Sequence, residues 1–140
     1  MIQYIVENTT VPHLEKKKLN AWIKDVAATY NQKTGDIAFV FCNDDRILEV
    51  NKQYLQHDYF TDIITFDYTE GNRISGDIFI SIDTVKSNAS EFQQDFLAEL
   101  HRIIIHGILH LCGNDDKTPE LRKEMTQKEN NALALLEQMR

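Results

Sequence analysis

Apolar residues along this chain recur at two different spacings, and the changes of spacing divide it into predicted strands and helices. Short runs rich in β-branched and aromatic residues predict strands over 2–6, 37–42, 63–68 and 77–82. Apolar positions at helical spacing predict helices over 12–31, 44–55 and 83–111, the third interrupted at 92–95, and a last helix from 118. This order of elements predicts an α+β fold, in which a mixed sheet of about four strands packs with about four to five helices.

A few residue types set the expected boundaries and the expected core. The predicted boundary residues are a helix start at Pro12, a break at Gly35, a helix cap at Asp44 or Asp45, and a hairpin turn at Gly71 and Asn72. The large apolar side chains expected in the core are Trp22, Phe39, Phe66, Phe79, Ile104 and Leu111. A chain of 140 residues is long enough to bury one such core, so we expect a single domain over 1–140.

The composition is typical of a soluble globular protein, since 42% of the residues are hydrophobic and 26% are charged. No run approaches the ~20 apolar residues that span a bilayer, and the first residues do not have the basic and apolar regions of a secretion signal. The two cysteines, Cys42 and Cys112, are expected to stay unpaired in a reducing compartment. We therefore expect a cytoplasmic protein with no membrane partner.

The overall charge limits how the chain can meet a nucleic acid. A formal net charge of −7 argues against a protein that coats nucleic acid through overall basicity. It still allows a local positive groove, which is what contacts with phosphates require. The residues available for such a groove are Lys16–Lys18, Lys24, Lys52, Arg73 and Arg102.

One stretch at the end of the third predicted helix, HGILHLCGNDD, carries the clearest chemical pattern in the chain. His106 and His110 lie four residues apart on the predicted helix, so their imidazoles share one face. Gly113 suits the left-handed conformation just past a helix, after which Asp115 or Asp116 can bring a carboxylate towards the two rings. Two His nitrogens, one Asp oxygen and an open fourth position are typical of a catalytic zinc site. The stretch therefore predicts a metal-dependent hydrolase.

Three stretches of the chain resemble the YbeY family of zinc-dependent endoribonucleases. The first, 106–116, resembles the family pattern His-Gly-x-Leu-His-Leu-x-Gly-Tyr-Asp-His. The second, 51–66, is similar to Asn-x-x-Tyr-Arg-x-Lys-Asp-x-x-Thr-Asp-Val-Leu-Ser-Phe, and the third, 76–81, to the family's Leu-Gly-Asp-Ile strand. Together these similarities extend over most of the chain.

The resemblance implies an α+β fold, one zinc ion held by three protein ligands, and cleavage within single-stranded RNA. It further implies a role in ribosomal RNA processing and ribosome quality control, with ribosomal RNA of the small subunit and ribosome-associated proteins as partners. His106 and His110 match the family's first two zinc ligands, and Asp116 stands where the family has its third, a His. Because an Asp oxygen is an acceptable zinc ligand, the predicted metal site is His106, His110 and Asp116.

A second departure from the family pattern removes a cation. Leu55 stands where the family has an Arg, and His57 stands where it has the following Lys. In a nuclease that Arg is expected to contact a phosphate or the transition state. His57, Arg73 and Arg102 are the candidates to substitute for it, and the sequence does not choose among them.

The sequence leaves alternatives for the residue that acts as general base and for the class of function. The candidate proton acceptors are Asp62, Asp77 and Glu99. A zinc metalloprotease is a rival function, although Gly107 stands where the protease pattern His-Glu-x-x-His has its Glu. A ribosome-associated binding module, with a structural zinc or none, is the other rival, and the two departures from the family pattern favour it.

Overall fold

The computed structural model describes residues 1–55 and 61–139. Its elements follow the order β1 (Ile2–Val6), α1 (Lys16–Thr29), β2 (Lys33–Cys42), α2 (Asp44–Leu55), β3 (Ile63–Asp67), β4 (Arg73–Ser81), α3 (Ile82–Glu91), α4 (Phe96–Leu111) and α5 (Pro119–Gln138). The predicted α+β fold with a mixed sheet is confirmed. Within the described residues, no helix is both long and apolar enough to cross a membrane.

The sheet combines three parallel strands with one antiparallel edge strand. The strands lie in the order β1-β2-β4-β3, and β3 runs antiparallel to β4. This pair is the predicted hairpin, and its turn contains Gly71 with a φ of +59°, which glycine adopts freely. Ile63 at the start of β3 pairs with Ile80, and the Ser81 N–H donates to the Asp62 carbonyl at 3.0 Å. Asp62 therefore lies beside the C-terminal end of β4.

The two faces of the sheet carry cores of different size. On one face, α1, α3, α4 and α5 cover β2 and β4, and this larger core contains four of the predicted residues, Trp22, Phe39, Ile104 and Leu111. On the other face, α2 covers a smaller core that includes Ile47, Val50 and Ile64. The expectation that Phe66 and Phe79 belong to the main core is wrong. Because side chains alternate along a strand, both pack on the α2 face and are only partly buried.

Two predicted boundaries on the first half of the chain are wrong. Pro12 lies in the non-helical segment before α1, where Leu14 is buried against the larger core, and the helix begins only at Lys16. Gly35 lies inside β2 rather than before it. A Cβ there would stand 2.5 Å from the Ser75 Oγ, so the missing side chain is what lets β2 continue past β4.

The start of α2 is capped by a residue that the sequence analysis did not name. The Asn43 Oδ1 accepts a hydrogen bond from the Arg46 N–H at 2.9 Å, which is an N-cap interaction. The Asp44 carboxylate instead accepts hydrogen bonds from the hydroxyls of Ser81 (2.5 Å) and Thr84 (2.6 Å). Asp44 therefore joins the start of α2 to the start of α3 and does not cap its own helix.

Two glycines let α4 approach the sheet closely. A Cβ on Gly107 would lie 3.0 Å from two side-chain atoms of Ile78 and 3.2 Å from Ile63. A Cβ on Gly76 would lie 3.0 Å from the Leu111 Cδ2. Because Gly107 directly follows His106, this close contact holds the histidine near the beginning of β3.

Removing metal should leave the fold intact, because the larger core is built without the histidine pair. Trp22, Phe39 and Ile104 are fully buried in it, and a chain of this length can fold on such a core alone. We expect the protein treated with a chelator to keep its helical circular dichroism and a cooperative thermal transition. A chelated protein with the spectrum of an unfolded chain would contradict this expectation.

Candidate metal centre

Two histidines on the last turns of α4 face a carboxylate from the loop that follows the helix. His106 and His110 lie one helical turn apart on a partly exposed side of α4. After the helix ends, the chain turns at Gly113, whose φ of +94° is in the left-handed region that favours glycine. This reversal returns Asp116 to the two rings.

The three candidate ligand atoms form a compact triangle. The His106 Nε2 lies 3.0 Å from the His110 Nε2 and 3.3 Å from the Asp116 Oδ2. The His110 Nε2 lies 3.6 Å from the same carboxylate oxygen. Within the described part of the chain, these are the residues whose ligand atoms come close enough together to hold a metal ion.

The size of this triangle fits a tetrahedral zinc ion. Zinc bonds of about 2.0–2.2 Å at tetrahedral angles place the ligand atoms about 3.3–3.6 Å apart. Two of the measured sides, 3.3 and 3.6 Å, fall in this range, and the third, 3.0 Å, is slightly shorter. The side chains of His106, His110 and Asp116 are 17%, 28% and 33% exposed, so a water or a substrate can reach the triangle. An arrangement of this size and exposure can hold a metal ion and leave a fourth position open.

The structure distinguishes the two candidate carboxylates. The Asp115 Oδ1 accepts hydrogen bonds from the backbone N–H groups of Asp116 (2.7 Å) and Lys117 (3.1 Å). Asp115 therefore stabilises the turn through an interaction typical of Asx turns. Asp116, by contrast, directs its carboxylate at both histidines.

A carboxylate that the sequence analysis missed holds the first histidine. Glu129 on α5 is buried, and its Oε2 accepts a hydrogen bond from the His106 Nδ1 at 2.6 Å. Its Oε1 accepts from the Arg102 Nη1 at 2.8 Å, and the Arg102 Nη2 donates to Asn130, also at 2.8 Å. No local pattern marks Glu129, because the contact depends on how α5 packs against α4. Only the general rule that a metal-binding histidine bonds a carboxylate through its other nitrogen anticipates such a residue.

The surroundings shift the titration of the two histidines in opposite directions. Burial alone would lower the pKa of His106, but the hydrogen bond and the negative charge of Glu129 outweigh it and raise that pKa above its ordinary value. Burial, with a contribution from the charge of His106, lowers the pKa of His110. Burial alone would raise the pKa of Glu129, but the hydrogen bonds from His106 and Arg102 outweigh this effect and lower that pKa. Glu129 is therefore a negative charge fixed behind the site.

The three candidate proton acceptors occupy different places. Burial raises the pKa of Asp62, and the charge of His106 partly offsets that rise. Asp62 is therefore within electrostatic range of the site. Glu99 is buried about two turns before His106 on α4, and burial raises its pKa against the effect of Arg102. Asp77 alternates along β4 with Ile78, which faces α4, so Asp77 lies on the opposite face of the sheet. Of the three, Asp62 is the one whose pKa the charge of His106 affects, whereas Asp77 lies on the other face of the sheet.

The candidates to replace the family's Arg also differ in their surroundings in the structure. Arg102 is engaged by Glu129 and Asn130. Arg73 begins β4 beside the hairpin turn, where its backbone pairs with Glu70. Leu55 ends α2 and is 41% exposed, and His57 lies outside the described residues.

The most basic segment of the chain lies away from the histidines. Lys16–Lys18 at the start of α1 border a cavity of about 810 Å³, which Tyr4, Val6 and Met139 also line. Neither His106 nor His110 lines this cavity. Any positive groove that these lysines form is therefore at this cavity, which the two histidines do not line.

Comparison with known proteins identifies the family. Residues 4–137 match the sequence profile described as Endoribonuclease YbeY. The chain belongs to the YbeY family. It is 62% identical over 136 residues to a protein of Phocaeicola vulgatus named Endoribonuclease YbeY, and the match covers 97% of this chain and 99% of that protein. A protein of the same name from Parabacteroides distasonis is 62% identical over 135 residues, with 96% and 95% covered.

The fold of this YbeY chain is also found in a solved structure. The solution structure of TM1509 from Thermotoga maritima superposes with a TM-score of 0.64 at 28% sequence identity. The match covers 97% of this chain and 89% of that one. The family and the fold class indicated by the three sequence stretches are therefore both confirmed.

Proposed function

We propose that this YbeY chain is a zinc-dependent endoribonuclease that cleaves single-stranded RNA. Its relatives over nearly the whole chain are named endoribonucleases, which supports hydrolysis of phosphodiester bonds within RNA. The observation that carries the proposal is the triangle of His106, His110 and Asp116, whose sides of 3.0–3.6 Å suit one tetrahedral metal ion. On this proposal the substrate is ribosomal RNA, the cell compartment is the cytoplasm, and ribosome-associated proteins are partners in ribosomal RNA processing and quality control.

The residues in and around the triangle would have different roles in hydrolysis. A zinc ion held by His106, His110 and Asp116 would supply Lewis-acid chemistry, lowering the pKa of a water towards ~7 and polarising a phosphoryl oxygen. Of the three candidate proton acceptors we assign the role to Asp62, because the charge of His106 affects its pKa and burial raises that pKa, which strengthens the carboxylate as a base. His106 and His110 orient their rings from a rigid helix that packs closely on the sheet at Gly107.

The ligand atoms limit which metal ion can bind, but they do not determine its identity by themselves. Two imidazoles disfavour magnesium and calcium, which prefer oxygen ligands. Two histidines and one carboxylate also bind iron(II) in some enzymes, so the choice of zinc rests on the family resemblance. Elemental analysis of the purified protein separates these two metals directly.

A binding module with no catalytic metal is the second candidate function. The observation that favours it is Leu55, an exposed apolar residue at the position of the family's Arg. Such a module would bind RNA and leave it intact, whereas the proposed nuclease cleaves it. A protease is disfavoured because Gly107 contributes no carboxylate at the position that zinc proteases use.

Metal content tests the proposed ligands. We expect wild-type protein to bind one zinc per chain, and Asp116→Asn to lose most of it, because a neutral amide oxygen is a poor zinc ligand and two histidines seldom hold zinc tightly. His106→Ala and His110→Ala should lose zinc for the same reason. The measurement is metal stoichiometry by inductively coupled plasma mass spectrometry after gel filtration.

Asp115→Asn is the matched control for that measurement. Its amide oxygen can still accept from the N–H groups of Asp116 and Lys117, so the turn is preserved and zinc should stay at the wild-type level. Full zinc occupancy in Asp116→Asn would exclude Asp116 as a ligand. Full occupancy in both histidine variants would exclude the whole site.

A further inference from the structure

The hydrogen bonds around His106 determine which of its nitrogens carries the proton. A carboxylate that keeps its charge only accepts hydrogen bonds, so the His106 Nδ1, 2.6 Å from the Glu129 Oε2, must be the N–H of the neutral ring. The His106 Nε2 then has a free lone pair. It lies 3.0 Å from the His110 Nε2, and it can accept a hydrogen bond from that atom.

Glu129 is itself held in place from two directions. The Arg102 Nη1 donates to its second oxygen at 2.8 Å, so both oxygens have partners. One residue earlier on α5, the Lys128 Nζ donates to the Asn114 Oδ1 at 2.5 Å, in the loop that connects His110 to Asp116. The helix α5 therefore contacts both the first histidine and the loop that brings in the aspartate.

We propose that Glu129, oriented by Arg102, is the positioning residue that fixes His106 in its Nδ1–H tautomer and so turns the Nε2 lone pair towards the ligand triangle. This inference rests on the metal centre of the proposed function. Without the carboxylate, the neutral ring can place its proton on either nitrogen and can rotate, and only one of these arrangements offers Nε2 as a ligand. Arg102 then serves the site through Glu129 and is not a contact for the substrate's phosphate.

The tautomer can be read without any metal or substrate. We expect histidine nitrogen NMR of the metal-free wild type, recorded at about pH 9 where imidazoles are neutral, to show His106 protonated at Nδ1 and bare at Nε2. Glu129→Ala should change this pattern and weaken zinc binding by about 10- to 100-fold in a chelator competition. Glu129→Gln should restore much of both, because its amide oxygen can still accept the Nδ1–H.

Two further variants make the result decisive. Glu124→Ala removes an exposed carboxylate from the same helix and should leave the tautomer and the zinc affinity unchanged. Arg102→Met removes the guanidinium while keeping a long side chain, and should weaken zinc binding in the same direction but less. It decides the matter if Glu129→Ala does not fold. The inference would be overturned if Glu129→Ala folds and keeps the wild-type tautomer and zinc affinity. If Glu129→Ala does not fold, it would be overturned by an Arg102→Met variant with an unchanged tautomer and zinc affinity.

The same data separate this inference from the proposed function. If wild-type protein binds no zinc, the proposed metal centre fails, whereas the tautomer of the metal-free protein still reports whether Glu129 orients His106. If zinc binds at His106, His110 and Asp116 but Glu129→Ala changes neither readout, the metal centre stands and the positioning role is rejected.

Discussion

Replacing His110 by alanine should reduce single-turnover cleavage of single-stranded RNA at least about a hundred-fold, because it removes a proposed ligand of the metal ion that would activate water and stabilise the developing charge. The zinc-loaded wild type should convert a labelled RNA to defined fragments under the same conditions. The measurement is the cleavage rate constant with enzyme in excess over RNA, followed on denaturing gels.

His13→Ala is the matched control for this assay, because it removes an exposed histidine beside the cavity that Lys16–Lys18 border. Its cleavage rate should equal that of the wild type. Cleavage that persists in His110→Ala would point to a contaminating nuclease or to a different active centre. Binding without cleavage by zinc-loaded wild type would favour the binding-module function instead.

Replacing Trp22 by alanine should destabilise the metal-free protein by ~3–5 kcal/mol, the usual cost of removing a fully buried large aromatic side chain. Trp22 is 0% exposed, and its Nε1 donates to the Ala132 carbonyl at 2.7 Å. The variant thus loses packing between α1 and α4 and a hydrogen bond to α5. Urea unfolding followed by circular dichroism measures the change.

Two controls locate the source of that loss. Trp22→Phe keeps much of the apolar volume and should cost less than the alanine variant, since mainly the indole hydrogen bond is lost. Tyr68→Ala removes an aromatic side chain that is 58% exposed and should change stability by less than ~0.5 kcal/mol. Equal stabilities of Trp22→Ala and wild type would show that the larger core does not depend on this contact.

That the three candidate ligands lie near one another could be predicted from the sequence because they are close together along the chain. His106, His110 and Asp116 fall within eleven residues, so helix periodicity and one glycine turn are enough to bring them together. Local spacing alone left Asp115 and Asp116 open, and the family resemblance indicated Asp116. In the structure Asp115 accepts hydrogen bonds within the turn, while Asp116 faces the histidines.

Features that depend on packing between distant elements could not be predicted. Glu129 lies 23 residues from His106 and reaches it only because α5 packs on α4. Asp77 was a plausible site residue by type, but it lies on the face of β4 opposite to Ile78, which packs against α4. The sequence predicted a break at Gly35, because it does not show that the Ser75 hydroxyl occupies the space that a side chain at position 35 would need.

The two carboxylates of the centre also decide what an approaching RNA phosphate meets. A divalent cation held by imidazoles alone would present its full charge to a polyanion. Here the negative charge of Asp116 at the triangle would offset part of that charge, whereas the charge of Glu129 behind it is already paired with Arg102. Long-range attraction of RNA would then depend mainly on lysines and arginines elsewhere on an acidic chain. Capture and cleavage would therefore depend on different parts of the surface, and salt would affect the first far more than the second.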